Sequence, residues 1–335
     1  MTLPPDHPPV LRPRIGVLLI NLGTPDDPSP RAVKRYLAEF LSDRRVVELP
    51  PIAWQPILRG LILNTRPRKS AEAYRAVWTD DGSPLAVITR DQAAALQGAF
   101  GADVTVDWAM RYGRPSIAER LAAMREAGCQ RILVAPLYPQ YCAATTATAN
   151  DKVFAELMKL RWQPALRTLP PYHDDPAYID ALRVSVEAGL AALDFVPDTI
   201  IASFHGMPRR TLDLGDPYHC QCQKTARLLS EALGRPLTVA FQSRFGPAEW
   251  LGPPTDDTLV ELAKAGKRKV AILAPGFSAD CLETLEELSI RGREQFEEAG
   301  GTHFAYLPCL NASPGGIELL RHLIARELEG WVRPA

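Results

Sequence analysis

The chain has 335 residues, with 38 Lys and Arg against 39 Asp and Glu and a formal net charge of −1. That balance excludes the basic excess of a nucleic-acid binder, and no stretch approaches the roughly 18 apolar residues of a membrane-spanning helix. Apolar residues make up 46%, ordinary for a globular protein, and at this length two domains are the expectation.

The first segment, MTLPPDHPPVLRPR, has no apolar core after its charges and is not read as a secretion signal. The six cysteines at 129, 142, 220, 222, 281 and 309 are accordingly expected to be reduced thiols of a cytoplasmic protein. IGVLLINLGTP, ending at Pro25, is an apolar, β-branched run and reads as a buried strand. Residues 46–69, VVELPPIAWQPILRGLILNTRPRK, set Trp54, Ile57, Leu58, Leu61 and Ile62 ahead of Arg66, Arg68 and Lys69. They form either a packed surface helix or an apolar lip with a basic edge, able to touch a membrane surface. VTVDWAMRYG, from Val104, is a second strand. SIAERLAAMREAG (116–128) has helical spacing and closes on Gly. RILVAPLYPQYCAATT, from Arg131, is a third strand running into a loop.

The pattern then starts again. TIIASFHGMPRR (199–210) carries a buried strand into His205, on a turn made by Gly206 and Pro208. Cys220 and Cys222 form a single C-x-C, weak evidence for a metal site without a second pair. LTVAFQSRFG from Leu237, the helix TDDTLVELAKAG (255–266) and KVAILAPGFSADCLETL from Lys269 follow. One constant offset lays Ala135-Pro136 on Ala274-Pro275, Tyr138 on Phe277, Cys142 on Cys281 and Thr145 on Thr284. A second lays Arg111-Tyr112-Gly113 on Arg244-Phe245-Gly246, and a looser third sets Leu22 opposite His205. The chain is written twice.

Strands apolar throughout, alternating with helices, predict parallel sheets covered on both faces. The expected fold is therefore two similar doubly wound α/β domains with a cleft between them. Ligands of such sheets bind beyond the carboxyl ends of the strands, where His205, Arg111, Tyr138 and the 277–283 loop fall. No G-x-G-x-x-G follows a strand and no G-x-x-x-x-G-K-S/T occurs, so nucleotide phosphates are poorly provided for.

In GFSADCLETLEELSIRGREQFEEAG (276–300), Ser278 or Asp280 is placed to cap the next helix. On that helix Glu283, Glu287 and Arg291 share one face, and Leu282, Leu285 and Leu288 take the packed side. Glu286 and the acids of 294–298 read as a solvated face. Glu283 differs, because it sits at the strand-to-helix junction and should point into the cleft that His205 enters. An imidazole facing a carboxylate can bind a borderline cation such as Fe2+ or accept protons near neutrality. Two protein ligands are an incomplete cage, which suits passing a metal on over storing it. Leu22, Tyr74, Tyr112, Tyr138, Trp250 and Phe277 describe a flat apolar cavity, and with Arg111 they suit a large planar acid.

INLGTP, AYRAVW..GSPL, MRYGRP, LYPQY..ATT, SFHGMP, GDPYHCQC, FQSRFGPAEWLGPPTDDTL and GFSADCLETLEEL occur in this order across residues 15 to 311. Together they resemble the ferrochelatases. The resemblance implies two Rossmann-like, chelatase-type domains, each a parallel sheet flanked by helices. The first would span 13–165 and carry the lip; the second would span 166–313 and carry His205 and Glu283. A C-terminal helix, 314–332, can pack back on the first. The implied reaction inserts Fe2+ into protoporphyrin IX to form protohaem, the last step of haem biosynthesis. His205 takes the place of the family's key histidine and Glu283 that of its key glutamate, both as metal ligands, and Glu287 continues its acidic ladder. Arg111 and Tyr112 match a pocket pair; Tyr74, Ser83, Tyr138 and Trp250 match the porphyrin lining, beside Leu22 and Phe277. Fe2+ is a substrate and no resident cofactor is required.

The departures are specific. Some members have histidine at Cys281 and an acid at Arg291, so how far the acidic ladder extends is open. The branch holding a 2Fe–2S cluster has a C-terminal cysteine tail, whereas this sequence ends Gly330-Trp331-Val332-Arg333-Pro334-Ala335. Ala143 stands at that branch's internal ligand, which leaves Cys220 and Cys222 as residual candidates. A cytoplasmic location follows, with peripheral contact at the inner membrane face as an option. The alternatives are another class II tetrapyrrole chelatase, acting with cobalt or nickel or on coproporphyrin, and a non-enzymatic haem or metal binder. Oligomeric state is not legible.

Overall fold

The computed structural model describes residues 13–102 and 104–332, with Asp6. The segment MTLPPDHPPVLRPR, which is not read as a secretion signal, lies almost wholly outside them, as do the last three residues. Two parallel sheets carry the fold. In the first, β1 (Arg14–Thr24), β2 (Val104–Gly113), β3 (Cys129–Pro136) and β4 (Ala165–Thr168) stand in the order β2-β1-β3-β4. In the second, β5 (Thr199–His205), β6 (Thr238–Gln242), β7 (Lys269–Leu273) and β8 (His303–Leu307) stand in the order β6-β5-β7-β8. The two orders are the same permutation, and every pairing is parallel. The repeat seen in the sequence is a repeat of topology, with β1, β2 and β3 answered by β5, β6 and β7.

The central strands β1, β5 and β7 are largely apolar because both of their faces are covered. In β1, Val17 and Leu19 join one core while Leu18 and Ile20 join another. In β7, Ala271 and Leu273 separate from Val270 and Ile272 in the same way. Each large aliphatic side chain so buried contributes about 1.5–3 kcal/mol. The inward sets of the two sheets, with the helices Pro176–Ala191 and Pro314–Leu328, make one continuous core. The C-terminal helix packs on Pro84–Phe100 from the first half and on Pro176–Ala191 from the second. Because β4 pairs with β3, the first sheet runs to Thr168. We propose the division between halves there, three residues beyond the 165/166 boundary expected from sequence.

The predicted helices form. Ile117–Glu126 begins with a capping box, Ser116 and Glu119 each bonding the other's main chain. Thr255–Lys264 follows β6. The segments after β3 and β7 are wound wider than α: Ala143–Ala147 and Glu283–Gly292 are π-helical, as is Leu58–Ile62 in the lip. Widened turns of this kind are rare and gather at functional sites.

Candidate active site

His205 is the last residue of β5 and lies half-buried at the carboxyl end of the second sheet. The turn that follows is fixed tightly. Gly206 donates its N–H to the Gln242 carbonyl at 2.7 Å, and the Tyr218 hydroxyl donates to the His205 carbonyl at 3.0 Å. A Cβ at Gly206 would lie 2.6 Å from the Gln242 carbonyl oxygen and 3.3 Å from the Trp250 ring, so a larger residue does not fit there. Trp250 thereby packs on the turn that aims the imidazole. The Phe277 ring meets the His205 ring edge-on, with centroids 6.4 Å apart.

Glu283 opens the π-helix after β7 and is half-buried. Burial lowers the His205 imidazole from its ordinary 6.5, and the Glu283 carboxylate opposes that shift, so the two groups sense each other across the strand ends. The imidazole is neutral at pH 7, the form that ligates a cation or accepts a proton.

The first half meets this pair directly. Leu22 and Phe277 share a cluster with Leu85, Met110, Ala279 and Cys281. Tyr74 packs with Leu282, and burial, reinforced by the Glu283 carboxylate, pushes its phenol well above the ordinary 10. Six expected residues therefore converge: His205, Glu283, Leu22, Tyr74, Trp250 and Phe277. The Tyr138 hydroxyl and the Trp250 indole N–H are buried with no partner among the described residues. An unpaired buried donor costs about 1–3 kcal/mol, so each is a group a ligand can satisfy.

Three others turn to local partners. Arg111 donates from Nε to the Thr148 hydroxyl at 2.7 Å and forms an ion pair with Asp43. The Tyr112 hydroxyl donates to the same Asp43 oxygen at 2.9 Å. The Ser83 hydroxyl accepts from Thr24 at 2.8 Å. Arg111 and Tyr112 are thus held by Asp43, which the sequence reading missed. An aromatic chain, Tyr74 to Tyr36 to Phe40 to Tyr112, joins this cluster to the His205 side. The spacing of Tyr36 and Phe40 on one helix face was the signal that could have found it.

Glu287 is held by Ser243, whose N–H and hydroxyl donate at 2.7 and 2.5 Å to its two oxygens. Burial raises its carboxyl above the ordinary 4.5, against those bonds and the charge of Arg291. A cavity of about 130 Å³ lies beside it, lined by Ser243, Arg244, Asp256, Arg291 and Gln295 among others. Arg291 reaches Glu286 at 3.1 Å, so Glu286 is ion-paired and mostly covered, not solvated.

The expected cap is also corrected. Among the described residues Ser278 Oγ has no partner and no side chain caps the π-helix. Asp280 instead accepts from Tyr306 at 2.6 Å, Asn311 at 2.6 Å and Thr284 at 3.0 Å, a buried network that anchors the segment. Cys222 is buried and Cys220 exposed on one helix. Residues two apart lie on different helix faces.

The ferrochelatase family profile matches residues 14–328. The ferrochelatase of Rhizobium meliloti (strain 1021) is 58% identical over 334 residues, 98% of each chain. Those of Allorhizobium ampelinum and Methylocella silvestris are 54% identical over 98% of each chain and 53% identical over 95% of each chain. Among solved structures, SirB from Bacillus subtilis with Fe3+ superposes with a TM-score of 0.58 at 12% identity, covering 95% of this chain and 97% of that one. That likeness is one of fold, and it is the chelatase fold expected from the sequence. With a matching profile over nearly its whole length and relatives above half identity, the chain belongs to the ferrochelatase family.

Proposed function

We propose that the chain inserts Fe2+ into protoporphyrin IX to form protohaem, with His205 and Glu283 as the residues that meet the metal and the departing protons. One observation carries the assignment of roles: a half-buried imidazole at the end of β5, its pKa lowered by burial, faces a carboxylate at the head of the helix after β7. The chemistry needs this pair. A free porphyrin keeps two N–H protons and in-plane lone pairs, so iron can enter only as those protons leave. Binding energy from apolar walls can bend the macrocycle and expose the lone pairs. Leu22, Tyr74, Tyr138, Trp250 and Phe277 form those walls; Asp43 shapes the far end by holding Arg111 and Tyr112, with Ser83 fixed on Thr24. His205 ligates iron or takes a pyrrole proton. Glu283 does the other task. Glu287, with its carboxyl raised above 4.5 by burial, can hold and pass on a proton. The reading needs no resident cofactor and no 2Fe–2S cluster.

His205→Ala should lower iron insertion by about 10²- to 10⁴-fold while changing porphyrin affinity little. The assay is anaerobic, with Fe2+ and protoporphyrin followed by absorbance; a wild-type rate would falsify the assignment. Coproporphyrin, Co2+ and Ni2+ in the same assay separate this reading from the other tetrapyrrole chelatases. Because burial depresses the imidazole, the neutral form persists below pH 6.5. The acid limb of kcat/KM should therefore fall below that value, and a limb above it would contradict the burial argument.

The lip supports a peripheral membrane contact. Ile52 is 90% exposed and Leu61 58%, while Leu58 is buried and the Trp54 indole is bonded to the Leu41 carbonyl at 2.6 Å. Arg59, Arg68 and Lys69 lie exposed beside them. Among the described residues no helix is long and apolar enough to cross a membrane, so contact would be at the surface. In flotation with anionic liposomes the wild type should rise with the vesicles and Ile52→Asp/Leu61→Asp should not. Wild-type protein left wholly in the soluble fraction would sink this part of the reading.

A further inference from the structure

We infer that Gln242 is a positioning residue that sets His205 and Glu283 at their working separation. The inference rests on the roles proposed above for that pair. Gln242 ends β6, lies opposite His205 in the strand register and is 3% exposed. It grips both partners at once. On the His205 side, its carbonyl takes the Gly206 N–H at 2.7 Å, and its side-chain Oε1 accepts from the Ser203 hydroxyl at 2.8 Å. On the other side its Nε2 donates to the Glu283 carbonyl at 2.8 Å. A backbone carbonyl can only accept, so the amide can face one way and Ser203 must donate to it. Ser203 in turn lies 2.8 Å from the Thr255 hydroxyl, which is then its donor. Thr255, Ser203, Gln242 and the Glu283 main chain form one buried polar line, with every donor directed.

This line crosses from the strand that bears the imidazole to the first turn of the helix that bears the carboxylate. Ser243 extends the grip by one helical turn, to Glu287, and adopts a φ of +64° to do so. That region is costly for a side-chain-bearing residue and persists only where its surroundings enforce it. The repeat supplies an independent contrast. The residues of β2 that align with Gln242 and Ser243 are Ala109 and Met110, both apolar and fully buried. The polar pair occurs only in the half that carries His205.

The test is steady-state iron insertion by Gln242→Met, which keeps volume and removes both side-chain bonds. A misplacement of about 1 Å can cost about 10²-fold. We expect kcat to fall by about 10- to 100-fold, with KM for protoporphyrin within about twofold of wild type if Gln242 touches no substrate. The same substitution made in Glu283→Gln should then cost less than it does alone, because part of its effect runs through Glu283. Unchanged kcat in folded Gln242→Met, or a fully additive loss in the double variant, overturns the inference. A wild-type rate in Glu283→Gln alone would overturn the site assignment and the inference with it, whereas a slow Glu283→Gln beside a fast Gln242→Met overturns the inference alone. Should Gln242→Met fail to fold, Ser203→Ala, which frees the amide Oε1 and the Thr255 hydroxyl, carries the test: a several-fold drop in kcat supports the line, and no change overturns it.

Discussion

The two halves share a strand order and a core but diverge at the strand ends. β1 leads to Leu22, packed in an apolar cluster, where β5 delivers His205. The widened turn after β3 reads AATTA; the one after β7 reads ETLEELSIRG. Arg111 on β2 is 13% exposed and paired with Asp43, while its counterpart Arg244 is 42% exposed and paired with Asp256 and Asp257. The sheet interiors are interchangeable because any close-packed aliphatic set will bury them. The strand ends are not, because that is where parallel sheets present groups to a ligand. On the function proposed above, one copy of the scaffold carries the reacting groups and the other supplies a wall and a lip.

The largest expected effect tests whether the first half's polar cluster is structural. Asp43→Ala strands the Arg111 charge and leaves the Tyr112 and Thr148 hydroxyls without their acceptor. Removing one partner of a buried pair costs about 3–5 kcal/mol. Arg244→Ala at the repeat-related position should cost no more than about 1 kcal/mol, because that pair is half in water. Urea unfolding of both variants decides it, and equal losses would erase the distinction between the halves.

A smaller effect follows with pH. Burial raises the Asp43 carboxyl, but bonds from Thr148, the Arg45 N–H and Tyr112, with the charge of Arg111, outweigh it and hold the group below its ordinary 3.8. A carboxylate depressed in the folded state stabilises fully above its unfolded value and loses that contribution as pH falls toward its folded one. Stability of the wild type should therefore drop below pH 3.8 more steeply than that of Asp43→Asn. Parallel acid unfolding curves for the two proteins would show that Asp43 is not the group responsible.

The duplicated fold could be read from the sequence because its signals are local. Apolar strand runs, helices closing on Gly128 and Gly266, and a loop carrying His205 each lie within a dozen residues. What escaped depends on distance or on backbone winding. Asp43, at a helix end, looks like any solvated acid until β2 brings Arg111 and Tyr112 to it. Asp280 looked like a cap because its partners Tyr306 and Asn311 lie some thirty residues on. The π-helix escaped because residues four apart stay on similar faces in α- and π-windings, so the sequence pattern does not separate them. Gln242 gave no sign at all, being a polar residue in an apolar strand whose partners Ser203, Gly206 and Glu283 all lie outside that strand.

The smallest expected effect concerns the residue that answers Tyr112. Tyr112 is sealed inside by Asp43 and Phe40, whereas Phe245, its counterpart, is 43% exposed and lies under the Arg66 guanidinium at 3.7 Å. Arg66 belongs to the helix Leu63–Val77, which also carries Tyr74, so this contact ties the lip to the loop between Ser243 and Trp250. A partly exposed cation over an aromatic face contributes about 0.5–1 kcal/mol. If the lip must part from that loop to admit the macrocycle, Arg66→Ala should speed porphyrin association by about two- to fivefold, the same energy expressed as a rate. Stopped-flow quenching of protoporphyrin fluorescence measures it. An unchanged rate would mean that the macrocycle arrives without disturbing this contact, and that the lip and the second half move independently during binding.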